Sequence, residues 1–363
     1  MKFKKTVFGA AAGAAVLAAC GGGGGGGGSS GSTSTTSSSK AAVALVAAPG
    51  LSASGSFKAT GDTTTDALGY INYQRAQVGL PALSSQAGAA QAAQNHSVWE
   101  QDNNVVGHVE TAGQTGYTAA TPLERVNLYY STQSVGEITA GFSGPFTSST
   151  EAIAGLFDAP FHRSVALFDS VHAGSGVANA TSDSQLSTLT VDFADYKQFI
   201  ADNQLVAWPY NGMANVNTSW FANESPNPMA QTTQSQPYEN TVVGYPVTLT
   251  GGDNAAFSNV SFTIADSTGA NVPCQEVDSA NNSEAAREAM CVPFSPLKTS
   301  TTYTAKVTGT LSNTSLAATP FALSWSFTTA ATANTPIGAP ASPSSASEAK
   351  AAKQFTPRRI ILN

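Results

Sequence analysis

Charged residues are scarce in this chain. They make up 11% of its 363 residues, and the 23 acidic residues outnumber the 16 basic ones, which leaves a formal net charge of −7. A protein that binds DNA or RNA needs a surface rich in Lys and Arg to neutralise the phosphates. The composition therefore excludes nucleic acid as the expected partner.

Long apolar runs are also lacking. The first one, residues 6–19, is shorter than the roughly 20 residues that cross a bilayer as a helix, and no later segment reaches that length. It follows three lysines and ends in small residues directly before Cys20, a layout typical of an export signal. We predict a signal peptide over residues 1–19. The residues before Cys20 resemble a bacterial lipobox, which implies lipidation of that cysteine; an ordinary cleaved signal is the alternative.

The lipobox resemblance implies a place in the cell envelope. The lipid would attach the chain to a membrane surface, and Gly21 is not the acidic residue that retains lipoproteins in the inner membrane, which implies the outer membrane in a Gram-negative cell. Residues 20–62 begin with a glycine run followed by Ser and Thr, and residues 330–363 are rich in Ala, Pro and Ser. Such segments bury too little apolar surface to offset the entropy of ordering, so we predict a disordered tether and a disordered tail.

Cysteine is rare as well, with three in the chain. If Cys20 carries lipid, Cys274 and Cys291 remain as a pair in an exported, oxidising setting. A disulfide between them would close a loop of about 17 residues and contribute about 3 kcal/mol in the chain-entropy model. A two-thiol metal site is the alternative, but no histidine lies nearby in the sequence. We predict a structural disulfide.

The remaining sequence divides into two folded parts. Residues 63–203 begin with helical patterns and continue, from residue 171, with alternating apolar and polar residues that predict antiparallel strands, so this part is α+β. Residues 241–329 contain short alternating β runs, predict an all-β sandwich, and resemble the immunoglobulin-like domains of bacterial surface proteins. Residues 204–240, rich in Pro, Asn and Trp, are expected to form an ordered linker.

Residues with catalytic chemistry are few. All four histidines lie in the first part: His96, His108, His162 and His172. No His-Glu-x-x-His zinc-protease motif is present, no Gly-x-Ser-x-Gly nucleophile elbow stands between a strand and a helix, and the glycine run lacks the Lys-Ser/Thr of a phosphate-binding loop. In a helix, His96 would lie beside Ala92, Ala93 and Trp99, which favours a buried packing contact. His172 precedes a glycine-rich strand and is also expected to be structural.

An ordered set of residues in the first part resembles the CAP superfamily, which comprises the cysteine-rich secretory proteins, antigen 5 and pathogenesis-related proteins and is defined by the SCP domain. In chain order the set is Asn72, Arg75, Gly79, Leu80, Leu83, His96, His108, Arg125, Gly136, Glu137, Pro160, His162, Arg163, Gly174 and Gly176. The resemblance covers residues 63–203. It implies a CAP-type α-β-α sandwich with a central cleft, followed here by the immunoglobulin-like sandwich.

The resemblance also implies a site. In many members two histidines and two acidic side chains line the cleft and can hold a divalent metal, and His108, Glu137 and His162 match three of them. The sequence departs from the family where Ile138 replaces the Asn after Glu137. The second acidic residue has no clear counterpart; Glu110 is favoured because it would share a side with His108 in an extended segment. The other candidates are Asp158 and Glu151.

Two neutral imidazoles and a carboxylate suit Zn²⁺ or another divalent metal with an open position for water. A metal there could activate that water for hydrolysis. The alternative is that the histidines and Glu137 bond to one another and hold the cleft together.

Three functions follow from these features. The favoured interpretation is a lipid-anchored, non-enzymatic envelope protein whose cleft binds a metal, a small molecule or a lipid-like ligand. The alternatives are a metal-dependent envelope hydrolase, and an adhesion or interaction module with a protein partner and a vestigial cleft. The immunoglobulin-like part adds surface but no reactive group, which favours binding over catalysis.

Overall fold

A computed structural model describes residues 42–49, 57–230, 232, 234–339 and 360–362. The predicted signal peptide, the predicted lipidation site at Cys20 and most of the tether and tail lie outside the described residues. Within those residues, no helix combines the length and the apolar character needed to cross a membrane.

The described residues form five helices, and local sequence explains where several of them begin and end. The helices are α1 (Thr63–Gln77), α2 (Ala87–Asn103), α3 (Pro122–Asn127), α4 (Glu151–Asp158) and α5 (Pro160–Ala166). The Asp62 side chain accepts the Thr65 N–H at the start of α1, and Thr121 and Glu124 form a capping box at the start of α3. Asn104 ends α2 in the left-handed conformation that Asn tolerates.

The strands form a mixed α/β structure with several sheets. They are β1 (Ala44–Leu45), β2 (Ser84–Ser85), β3 (Val135–Ser143), β4 (Ser170–Ala178), β5 (Leu186–Tyr196), β6 (Gln204–Trp208), β7 (Ser219–Phe221), β8 (Val242–Gly244), β9 (Val247–Gly251), β10 (Ala256–Asp266), β11 (Cys274–Val277), β12 (Glu288–Pro293), β13 (Thr302–Ser312), β14 (Thr319–Thr328) and β15 (Ile360–Leu362). Among the described residues, the helices lie in the first part of the chain and the second part is built from strands, as the sequence predicts.

The first sheet has the strand order β15-β3-β5-β4-β2, and helices contact both of its faces. On β4, the Ser175 side chain donates to the Thr64 carbonyl of α1, whereas a Cβ added at the next residue, Gly176, would meet Gln94 of α2. Successive residues of a strand point to opposite faces. Therefore α1 and α2 cover opposite faces of this sheet.

The face toward α2 carries two polar rows that cross three strands. The register aligns Glu137, Asp192 and Gly174 in one row, and Thr139, Thr190 and Gly176 in the next. A Cβ at either glycine would overlap the backbone of α2, at Ala90 or at Gln94. The two glycines therefore let α2 lie directly against β4, with its polar side chains facing the rows.

The second part contains a sheet of order β1-β6-β9-β12-β11, a sheet of order β10-β13-β14 and the pair β7-β8. Along β13, Tyr303, Ala305 and Val307 are buried and alternate with more exposed residues, which is the pattern of a strand with one face on a core. Cys274 and Cys291 form a disulfide between β11 and β12, with Cα atoms 5.5 Å apart.

Three segments differ from the sequence-based expectation. Gln204–Trp208, in the predicted linker, is strand β6 and pairs with β9. Ala44–Leu45, in the predicted tether, pairs with β6, and Ile360–Leu362, in the predicted disordered tail, pairs with β3. Each segment is short but contains apolar residues that pack in the core. Leu205 and Leu362, for example, are buried.

Candidate functional site

The helix α2 places three polar side chains against the polar rows of the first sheet. His96, Ser97 and Glu100 are all fully buried. The Ser97 hydroxyl reaches Thr190 at 2.9 Å, and Glu100 accepts the Thr139 hydroxyl at 2.8 Å. Spacings of four and three residues put His96 and Ser97 each on the same side of the helix as Glu100. The layer between α2 and the sheet is therefore polar.

His96 lies at the centre of this layer with acceptors on both ring nitrogens. Its Nδ1 is 3.0 Å from Glu110 Oε1, and its Nε2 is 2.9 Å from the Gly107 carbonyl. Since a carboxylate and a carbonyl both accept, both nitrogens must carry protons, as in an imidazolium ion. Burial alone would lower the pKa of His96, but Glu137, Glu100 and Glu110 outweigh it and raise that pKa to about 10.

Glu137 is shared between a histidine and an arginine. Its Oε1 is 2.9 Å from His108 Nδ1, and its Oε2 accepts from Arg125 at 2.6 Å. Burial alone would raise the pKa of Glu137, but Arg125 and then His96 hold it far below its usual range. Arg125 also donates to the His108 carbonyl at 3.0 Å, which ties the loop before α3 to that helix.

Asp192 faces Glu137 across the β3–β5 pairing. It is fully buried, and no N–H or O–H donor of the described residues reaches its carboxyl oxygens. Burial and then the neighbouring Glu137 carboxylate raise the pKa of Asp192 well above its usual range. This shift favours the protonated form of Asp192, which can donate a hydrogen bond to Glu137.

These residues, His96, Glu100, Glu110, Arg125, Glu137 and Asp192, form the α2 cluster. Its charges balance: His96 and Arg125 are cations, and the pKa values of Glu110 and Glu137 are lowered, so both are anions. Burial raises the pKa values of Glu100 and Asp192, which moves these two acids toward their neutral forms. A balanced, hydrogen-bonded cluster can stay buried without an uncompensated charge.

His108 lies at the edge of the α2 cluster, and its side chain is 24% exposed. The neighbouring Val109 is 62% exposed. Eight large apolar side chains are exposed among the described residues, and six of them lie between residues 98 and 129. These six define the α3 surface: Val98, Val109, Tyr117, Leu123, Leu128 and Tyr129.

Hydrogen bonds connect the parts of the α3 surface. Asn95, one turn before Val98 on α2, donates to the Tyr129 hydroxyl at 2.7 Å. Arg125 holds the backbone next to Val109, as described above. Arg125 is also the one Lys or Arg between residues 98 and 129, and it is buried. The six apolar side chains are thus interspersed with exposed polar residues such as Asp102 and Glu124, and residues 98–129 contain no exposed Lys or Arg.

His162 has a different partner. Its Nδ1 is 2.9 Å from Glu224 Oε2, and the same oxygen accepts the Phe161 N–H at 3.2 Å. Glu224 lies between β7 and β8 and is buried. Burial raises the pKa of Glu224. The neighbouring His162 lowers this pKa by less than burial raises it, so the pKa stays above its usual value. Among the described contacts, none joins His162 to His108 or to Glu137.

The three candidates for a second acidic ligand lie in separate places. Glu110 accepts from Thr118 N–H at 2.7 Å and belongs to the α2 cluster. Asp158 accepts the Tyr245 hydroxyl at 2.9 Å, and burial raises its pKa to about 6. Glu151 accepts the Thr147 N–H at the start of α4. Neither Asp158 nor Glu151 has a described contact with His108 or Glu137.

The donor set does not fit a zinc site in this arrangement. Within the described part of the chain, no group of three or more His, Cys, Asp or Glu side chains is placed to hold a metal ion. Glu137 already bonds to His108 and to a guanidinium, and His96 adds a second cation nearby. A divalent cation would be repelled by both charges. We therefore derive no reaction through a metal.

Sequence reasoning identified His108, Glu137 and His162. It missed Asp192, which faces Glu137, and Glu224, which bonds to His162. Asp192 and Glu224 carry no motif, since their roles depend on strand register and on a contact between segments 62 residues apart. Arg125 was part of the family resemblance, and His96 is buried as its helical neighbours predict. His172 bonds to Asp195 at 2.8 Å, apart from the α2 cluster.

Comparisons with known proteins give weak similarities. No protein-family model matches the chain, and no curated protein matches it. An extracellular SCP-domain protein from Bacillus anthracis is similar at 21% identity and a TM-score of 0.29, over 36% of this chain and 40% of that one. An outer surface protein from Borrelia burgdorferi is similar at 18% identity and a TM-score of 0.29, over 36% of this chain and 90% of that one.

A third structure, CopC from Methylosinus trichosporium OB3b, is similar at 17% identity and a TM-score of 0.22, over 34% of this chain and 88% of that one. The chain thus spans 40% of the Bacillus protein that it matches. Similarities of this size carry no argument about the function of this chain.

Proposed function

We propose that this chain is an exported, surface-tethered binding protein of the CAP type, which takes an uncharged or zwitterionic lipid-like ligand on the α3 surface. The observation that carries the proposal is the concentration of exposed apolar side chains on that surface. Contiguous exposed apolar surface marks interaction sites, and tyrosines suit a boundary between apolar and aqueous surroundings. The missing exposed cation favours a ligand without net negative charge.

The CAP-type assignment rests on two observations. The ordered motif set matches that superfamily, and α1 and α2 contact opposite faces of an antiparallel sheet, as an α-β-α sandwich requires. The packing of β10 against β12 likewise supports an immunoglobulin-like sandwich in the second part. The lipid at Cys20 stays a prediction, which mass spectrometry of the exported protein will test.

The α2 cluster supports a binding function better than a catalytic one. Its acids and bases bond to one another. Of the two histidine–carboxylate pairs, His108–Glu137 and His162–Glu224, His108 is the member with appreciable exposure. A hydrolase needs a nucleophile and a base that face the same substrate. In this proposal the α2 cluster instead fixes α2 and α3 relative to each other, and so keeps the α3 surface in shape.

The test is binding of residues 21–363, free of signal and lipid, to vesicles of pure phosphatidylcholine. Cosedimentation is expected for the parent chain, and Val109→Asp and Leu128→Asp are each expected to weaken it about tenfold, since each removes apolar contact and buries a charge. Val242→Asp is the matched control, because Val242 is 39% exposed outside the α3 surface. Equal losses in all three variants, or no binding by the parent, would contradict the proposal.

A divalent metal at His108, Glu137 and His162 is the second function to test, because the family resemblance implies it. Calorimetry with Zn²⁺ near neutral pH is expected to show no stoichiometric binding, since Arg125 occupies one Glu137 oxygen. Stoichiometric binding that is lost in both His108→Ala and Glu137→Gln would instead establish a zinc site. The hydrolase alternative would then merit a substrate screen.

A further inference from the structure

The strand β15 is bonded along both of its edges. On one side it pairs with β3 in antiparallel register, Ile360 with Phe142 and Leu362 with Ala140. On the other side the Ser225 N–H donates to the Leu362 carbonyl at 3.0 Å, and the Asn223 side chain donates to the Ile360 carbonyl at 3.4 Å. β15 therefore fills a slot between the outer edge of β3 and residues 223–225, which we call the β3 slot.

The β3 slot also has an apolar pocket. Leu362 is 2% exposed, and Ile360 and Ile361 are partly buried. The Leu362 side chain lies over Gly155 of α4, whose added Cβ would be 3.8 Å from Leu362 Cδ2. That distance is an ordinary van der Waals contact, and the closest neighbour of Gly155 is Ile337, so the site is defined by the burial of Leu362 itself. The slot thus combines main-chain pairing with one specific side-chain site, as strand-addition sites do.

Without β15, the outer edge of β3 would be exposed. All of its residues except the two ends are buried, so this edge belongs to a buried strand of the first sheet. Uncovered edges of apolar strands pair readily with other extended chains. Twenty residues separate Ala339 from Ile360, and a chain of that length can span on the order of 65 Å. The sequence thus allows β15 to leave its slot while the rest of the fold stays in place.

We propose that the β3 slot is a binding site for an extended apolar peptide, for which Ile360–Leu362 is the built-in occupant. A peptide that carries Ile-Ile-Leu in extended form can replace β15 when that segment is displaced. Binding in the β3 slot is linked to the candidate site through Glu224. This residue lies between the two slot residues Asn223 and Ser225, and it bonds to His162 and to the Phe161 N–H. This proposal is independent of the α3 surface, which lies elsewhere on the chain.

The test uses hydrogen–deuterium exchange on the full chain and on a variant that lacks residues 360–363. Deletion is expected to speed exchange of the outer β3 amides, of Ser225 and of Phe161 by about tenfold or more. A peptide of residues 358–363, added at millimolar concentration, is expected to restore protection. The same peptide with Leu362→Asp is expected to bind at least about tenfold more weakly, since its charge would replace the buried Leu362 side chain.

A full-length variant, Leu362→Asp, repeats the test if the deletion does not fold. It too is expected to lose protection at the slot and to regain it with the parent peptide. Exchange that is unchanged by both variants would overturn the proposal, as would protection restored equally by both peptides. Vesicle binding through the α3 surface is expected to be unaffected, so failure of either proposal can be distinguished from failure of the other.

Discussion

The two histidine–carboxylate pairs have the same geometry and opposite electrostatics. In each, a histidine Nδ1 lies 2.9 Å from a buried glutamate oxygen, in the pairs His108–Glu137 and His162–Glu224. The pKa of Glu137 is held far below its usual range, whereas the pKa of Glu224 is raised. The difference comes from Arg125, which bonds directly to Glu137 and has no equivalent bonded to Glu224. A cation in direct contact, rather than the histidine bond, sets the direction in which the pKa of the carboxyl shifts.

The largest effect is expected from Glu137→Gln, which removes the anion between Arg125 and His96. Breaking a buried ion pair by removing one partner leaves an uncompensated charge, so we expect a loss of about 3–5 kcal/mol in the free energy of unfolding. Urea denaturation measures this loss. Glu124→Gln is the matched control, because Glu124 lies next to Arg125 on α3, in an exposed capping box that Gln can also form. A loss no greater than that of the control would contradict the ionised state of Glu137.

A smaller effect is expected from Glu224→Gln. The amide oxygen can still accept from Phe161 N–H or His162, and no cation in direct contact loses its partner. We expect a loss of about 1 kcal/mol, the usual net value of one hydrogen bond, measured by the same denaturation. If Glu224→Gln cost as much as Glu137→Gln, the two pairs would be electrostatically alike and the comparison would fail.

The smallest change in the free energy of unfolding at low pH is expected from Asp192→Asn. Its pH dependence is specific to the ionisation of this one carboxyl group. Because the folded-state pKa of Asp192 is raised, the parent holds this proton when folded and loses it near pH 4 when unfolded. The parent therefore loses stability as the pH rises from about 4 toward the folded pKa, and the Asn variant does not.

The difference in unfolding free energy between Asp192→Asn and the parent should accordingly increase in favour of the variant from pH 4 to pH 8. Asp102→Asn, at an exposed carboxyl of α2, is the control and should show no such increase. A difference that stays constant over this pH range would mean that Asp192 is ionised in the folded protein.

The sequence predicted the features that depend on local pattern. The helical pattern at the start of the first part corresponds to α1, and the alternating runs of the second part are strands. Family resemblance placed His108, Glu137 and His162 in one site; the first two are in contact, whereas His162 bonds to Glu224. Glu224 could not be predicted, because its contact with His162 depends on how a loop 62 residues later packs against α5. Asp192 required the β3–β5 register, which alternation alone does not fix.

The glycines of β4 have a consequence for the electrostatics of the α2 cluster. Gly174 and Gly176 carry no charge, yet they set how closely α2 approaches the sheet. A single methyl group at either position would act as a wedge and admit solvent above Glu137 and Asp192. Water would raise the local dielectric constant and weaken every interaction that shifts the pKa values there. The acid–base properties of this layer are thus maintained by two residues that have no side chain at all.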